Sequence, residues 1–209
     1  MTLESLLVFA PVSLLLILAP GPDNILVLTR GITMGRQAAM LSAAGASVGL
    51  VCHSILAAAG LSAIVQQSSA AFAIVRYVGA AYLLVLGVRS LISRGEKIQT
   101  GSQVPPIGPR RIFVQGLLSN VLNPKIAIFF LAYLPQFTSP SSDPLAFQLM
   151  TLGLVFAMLT WAIFTALAWF SGVAGDWIRQ RPAMPLVIDR LTGIVFIGLG
   201  IRLAFAKRG

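Results

Sequence analysis

Two short runs in this chain place backbone breakers beside ionisable side chains, deep inside otherwise apolar stretches. They are Pro20-Gly21-Pro22-Asp23-Asn24 and Asn123-Pro124-Lys125. Proline removes an amide donor, and together with glycine it ends a regular helix. Each run therefore leaves backbone polar groups in need of partners. In hydrocarbon such groups, and any charge beside them, are satisfied only by protein, water or a solute. Asn123 suits the N-cap of a restarting helix and Pro124 suits its first position. Asp23 falls in the first turn of the other restarted helix, where a carboxylate matches the positive dipole end. Lys125 opposes the dipole in its own first turn, so it needs water or an anion, either Asp23 or the carboxylate of a bound solute. The pattern predicts a solute site: the two half-helix N-termini and Lys125 hold a carboxylate, and Asp23 holds an ammonium group or carries a coupling proton. The expected binding residues are Pro20, Gly21, Pro22, Asp23, Asn24, Asn120, Asn123, Pro124 and Lys125. Gln115 and Ser119 lie near enough to join a polar path or to hydrogen-bond between helices. The plainer alternative is that Asp23 only caps its helix and Lys125 only snorkels to the headgroups.

Other chemistry finds little support. The chain has one cysteine, Cys52, and one histidine, His53, with six Asp plus Glu in all. No Cys pair or His/Cys cluster exists to hold a metal or run thiol exchange. Gly45-Ala46-Ser47-Val48-Gly49 matches the nucleophile-elbow pattern by letters, but that pattern needs a strand-to-helix turn. Here it sits in a helical run, and His53 lies about 9 Å further along the same helix. The glycines read instead as close helix packing. His53 and Ser54 are expected to form a satisfied core pair, with a proton relay as the alternative. Tyr82, Tyr133, Trp161 and Trp169 are expected as packing residues or interface anchors. No enzyme activity, cofactor or metal is expected.

The elements that position the two runs follow from composition. Of 209 residues, 57% are hydrophobic and 10% charged, and mean hydropathy is +0.89. Soluble domains carry about 25% charged residues. Six apolar segments are long enough to span a bilayer, at about 20 residues each: roughly 5–28, 38–65, 72–92, 112–137, 145–173 and 186–206. None alternates like a barrel strand, so the expected fold is an all-α membrane protein. The first segment lacks a basic flank and a small-residue cleavage site and reads as a retained span. The net charge of +9 is spread over short gaps rather than one basic face, which argues against a nucleic-acid partner. With the N-terminus outside, Arg30, Arg36, Arg94, Lys97, Arg110, Arg111, Arg179 and Arg181 fall in inner loops. The outer loops 66–71 and 138–144 hold no Lys or Arg, in accord with the positive-inside rule. Only Lys207 and Arg208 break it.

The stretch from Arg76-Tyr-Val-Gly79 to Gly87-Val-Arg89 resembles Arg190-Leu-Thr-Gly193 to Gly200-Ile-Arg202, with one single-residue gap. The chain is therefore expected to be one transmembrane domain of two inverted three-helix repeats. The first covers about 1–93 and the second about 110–209, joined by a polar linker at 94–109. The broken first and fourth helices then correspond, and paired breaks of this kind point to a transporter site near the midplane.

In sequence order, Pro20-Gly21-Pro22-Asp23, Gly35-Arg36, Gly79, Tyr82-Leu83, Gly87, Asn123-Pro124-Lys125 and Pro135-Gln136-Phe137 resemble the LysE/RhtB family of amino-acid exporters over nearly the whole chain. The chain departs from the family after Arg36, where Gln37-Ala38-Ala39-Met40 replaces the frequent Ala-Gly. That departure touches helix packing more than the site. The resemblance implies about six spans in the cytoplasmic membrane of a bacterium and no cofactor. It also implies efflux of an amino-acid-like solute driven by an ion gradient, with a proton as the expected coupling ion. The alternatives are a non-transporting scaffold subunit and an exporter of some other solute. Glycine-rich helix faces allow a homodimer without requiring one.

Overall fold

The computed structural model describes residues 3–62, 68–93, 107–139, 143–173, 180–181 and 183–206. The described residues form helices and short connections, with no strand among them. The helices are α1 (Leu3–Leu18), α2 (Pro22–Met34), α3 (Arg36–Leu56), α4 (Ser69–Ile92), α5 (Pro109–Val121), α6 (Pro124–Ile128), α7 (Leu145–Trp169) and α8 (Met184–Phe205). A wider turn, Ala57–Leu61, continues α3. Another, Phe129–Tyr133, and a tight turn, Leu134–Phe137, continue α6.

Four of these helices are long and apolar enough to cross a membrane, and two bent pairs raise the number to six if each pair is one span. The pair α1 and α2 bends by 57°, and the pair α5 and α6 with its extension bends by 46°. Both bends fall at the proline runs, because Pro22 and Pro124 each start a new helix. Pro11, by contrast, is carried inside α1.

The boundaries correct one detail of the loop assignment. Arg30 lies within α2 and Arg36 opens α3, so the expected inner loop between them shrinks to Gly35. Gly35 turns the chain with φ +86°, a conformation that strains a residue bearing a Cβ. Arg110 and Arg111 likewise belong to the first turn of α5. Arg94, Lys97, Arg179, Lys207, Arg208 and most of the linker lie outside the described residues.

Close packing sets the pairings. A Cβ at Gly45 would meet the Phe113 carbonyl oxygen at 2.1 Å, and one at Gly116 would meet the Ser42 carbonyl oxygen at 2.3 Å. The backbones of α3 and α5 therefore touch, as expected of Gly45 and Gly49 in a lipid-facing protein. Gly87 and Gly193 do the same for α4 and α8. Helix α3 also packs on α7, and both α1 and α2 lean on α7. At the centre, Phe9, Phe129, Phe130, Tyr133, Phe137 and Phe156 stack or meet edge to face. Large apolar side chains such as Ile74, Val78, Leu191 and Ile194 point outward from α4 and α8, the faces that hydrocarbon must cover.

Candidate functional site

The two breaks meet. Asp23, in the first turn of α2, is buried. Its carboxylate accepts hydrogen bonds from Ser119 Oγ at 2.7 Å, Asn120 Nδ2 at 2.8 Å and Asn123 Nδ2 at 3.0 Å. All three donors come from the end of α5 and the break that follows it. Lys125 returns the connection. Its ammonium donates to the backbone carbonyls of Ala19 at 3.0 Å and Leu16 at 3.3 Å, at the end of α1. Each break thus supplies the ion that satisfies the other.

This geometry resolves the misplacement of Lys125. By sequence it sits in a first turn, where a cation is unfavourable. In space its ammonium reaches the carbonyl end of α1, where a cation complements the dipole. Its partners are these carbonyls and not Asp23, since no ion pair joins the two among the described residues. Phe196 of α8 adds a ring whose centroid is 6.0 Å from Nζ, at the outer limit of a cation–π contact. Gly21 makes the reach possible: a Cβ there would lie 2.9 Å from Nζ. Its φ of −166° is ordinary extended backbone, so space, not conformation, demands glycine.

Most of the other polar groups at the breaks are also met. Asn24 Nδ2 donates to the Ile17 carbonyl at 2.7 Å. Asn123 Oδ1 caps α6 by accepting from the Lys125 amide at 3.0 Å, as its residue type predicts. The Asn120 carbonyl accepts from the Asn123 amide at 3.0 Å and lies 3.2 Å from His53 Nε2. Ser54 bonds to the Leu50 carbonyl of its own helix, so His53 and Ser54 are each satisfied, but not by one another. Asn120 Oδ1 is buried with no partner, pressed against the space a Cβ at Gly49 would take.

A small cavity of about 10 Å³ lies between the ions, lined by Leu16, Ile17, Asp23, Asn24, Leu50, Asn120, Lys125, Ile126, Phe156, Thr160 and Phe164. That is room for a single water. Of the nine expected residues, Asp23, Asn24, Asn120 and Lys125 line it. Asn123 and Gly21 touch those that do. Pro20, Pro22 and Pro124 shape the breaks without facing the cavity. Gln115 accepts a hydrogen bond from Arg30 between α2 and α5, outside the cavity. The wall from α7, namely Phe156, Thr160 and Phe164, was not expected. Its only local signal is a threonine among apolar residues at four-residue spacing. Thr160 Oγ1 donates to the Phe156 carbonyl at 2.8 Å, leaving its lone pairs free. No group of three or more His, Cys, Asp or Glu among the described residues is arranged to hold a metal.

The family described as LysE type translocator matches residues 14–207. A homoserine/homoserine lactone efflux protein of Salmonella typhimurium is 32% identical over 208 residues, 99% of each chain. An uncharacterized membrane protein of Bacillus subtilis is 29% identical, covering 96% of this chain and 98% of its own. One from Vibrio cholerae is 30% identical over 91% of both. No solved structure matches the chain.

Proposed function

The chain belongs to the LysE type translocator family, a multi-pass bacterial membrane protein by its relatives and its apolar helices, and from that premise we propose that it exports an amino-acid-like solute through the site where its two broken spans meet. The observation that carries this reading is the reciprocal hold of Asp23 and Lys125 across the breaks, around a cavity that also holds Asn24 and Asn120. A zwitterion offers the same two charges. Its ammonium competes for Asp23 against neutral donors, and its carboxylate competes for Lys125 against two carbonyls. Both exchanges replace neutral partners with charged ones, and charge-assisted hydrogen bonds are the stronger kind.

About 10 Å³ is too little for an amino acid, so on this reading the solute enters only when the half-helices part. Alternating access of this kind is the work of inverted repeats moving about a fixed midplane site. The packing of α4 on α8 and of α3 on α7 supports such a repeat, because these are the pairs that a two-fold axis in the membrane plane relates to themselves. The positive-inside count supports an outer N-terminus, and a proton is the coupling ion we assign. Homoserine, named for the Salmonella relatives, heads the candidate solutes; the lactone named with it offers an ammonium to Asp23 but no carboxylate to Lys125.

Inverted membrane vesicles loaded in a panel of labelled amino acids test this, with and without a proton gradient. Gradient-dependent uptake is expected for at least one solute. Asp23→Asn and Lys125→Met should each abolish it while insertion stays normal. Full transport in both variants would remove the site from the pathway.

A further inference from the structure

From the narrow site one seam runs to a surface groove. On α2, Asp23, Val27, Leu28 and Gly31 are buried. On α7, Phe156, Thr160, Phe164 and Ala168 are buried, and Ser171 just beyond its end is buried too. These two stripes face one another, because α2 packs on α7 and the cavity is lined from both. The seam closes at Gly31. A Cβ there would fall 2.1 Å from Ser171 Oγ and 2.2 Å from Ser171 Cβ, so backbone and side chain are in direct contact. Ser171 is turned toward its own helix, donating to the Ala168 carbonyl at 2.9 Å. Asp23 and Gly31 are eight positions apart, which on a helix is about 12 Å.

Beyond that contact lies a groove of about 550 Å³ whose lining includes Gly31, Ser171, Arg36, Gln37, Trp169 and Gly172. Arg36 lies over the Trp169 ring, 3.7 Å from its centroid. A guanidinium held over an aromatic face can still offer N–H groups to a carboxylate. The volume falls in the range of small-molecule sites.

We propose that the solute reaches the Asp23–Lys125 site along the α2–α7 seam, its carboxylate first taken by Arg36 in this groove, with Gly31 against Ser171 as the closed gate. The inference rests on the reading of the Asp23–Lys125 site as the solute site. The α2–α7 seam also explains why α2 bears the first-span break: a short helix jointed at Gly21 and Gly35 packs more closely on α3 than on α7, so it can part from α7 while keeping its hold on α3.

The test uses the full chain with Cys52→Ser and Gly172→Cys. Cys52 is the sole native cysteine, and a Cβ at Gly172 meets nothing within 4 Å. A charged, membrane-impermeant thiol reagent is applied to either face of vesicles, and transport of labelled L-homoserine, or of whichever panel amino acid moves fastest, is compared in labelled and unlabelled samples. Labelling from the cytoplasmic face is expected to block transport, and an excess of the same amino acid should slow labelling. Gly31→Ala, which overpacks the gate, should cut transport about tenfold, and adding Ser171→Gly should restore it. Labelling without loss of transport, or labelling from the outer face alone, overturns the proposal. So does protection that follows the anionic-lipid content of the vesicles instead of the amino acid, since Arg36 would then serve a headgroup. Asp23→Asn, measured alongside, separates the two readings. If it abolishes transport while the labelled groove does not, the site stands and this entry path falls. If no amino acid moves in any sample, both fall.

Discussion

The break in the first span and the break in the fourth look alike in sequence, but they are stabilised in different ways. The fourth-span break is mostly self-contained. Asn123 caps the new helix through the Lys125 amide, and its own amide closes onto the Asn120 carbonyl. The first-span break has no side-chain cap at Gly21. Of its freed carbonyls, those of Leu16 and Ala19 are met by Lys125, more than a hundred residues away. A break that carries its own cap persists when its partner moves, whereas a break held from afar loosens when the partner leaves. Asn24 meets only the Ile17 carbonyl locally, so the difference predicts that the α1–α2 break loosens before the α5–α6 break.

Substitutions can break or sharpen that contrast. The largest effect is expected from Asp23→Ala, which leaves Ser119, Asn120 and Asn123 donors without an acceptor. At about 1–3 kcal/mol for each buried group left unpaired, the thermal midpoint of the purified protein in detergent should fall furthest here, with transport lost. Lys125→Met comes next. It strands the Leu16 and Ala19 carbonyls, costing about 2–6 kcal/mol, and if the first break depends on Lys125, amide hydrogen exchange should speed up at the α1–α2 break and not at the α5–α6 break. Faster exchange at both would erase the contrast. Asn123→Ala removes a cap worth about 1 kcal/mol plus one bond to Asp23. Its loss should be non-additive with that of Asp23→Ala, because the two share a hydrogen bond. Smallest in stability is Gly21→Ala, whose methyl displaces the Lys125 ammonium rather than backbone. Its midpoint should shift little while transport falls sharply, the signature of a misplaced functional group.

Local chemistry made the breaks legible from the letters alone. Pro22 and Pro124 open helices where their residue type says they should, Asn123 caps, and Asp23 sits in a first turn. Gly45 and Gly49 pack as small residues in a lipid-facing helix do. What could not be read was set by residues far apart in sequence. Lys125 finds carbonyls instead of an anion, because backbone acceptors carry no mark in the sequence of which ones a bend will free. The α7 wall of Phe156, Thr160 and Phe164 looked like any apolar helix until another element faced it. The inner loop assigned around Arg30 and Arg36 failed because Arg30, paired with Gln115, extends the helix past the apolar run that served to delimit it.

Sequence separation at the site has a consequence for how the protein is made. The donors to Asp23 and the partner of the Leu16 and Ala19 carbonyls lie 96 to 109 residues downstream. At about 5–20 residues per second of translation, the ribosome needs roughly 5–20 s to deliver them. During that interval the nascent first half holds an unpartnered carboxylate at the bilayer. The hydrogen bonds that tie the bent first span to the fourth are therefore complete only after the second half has arrived.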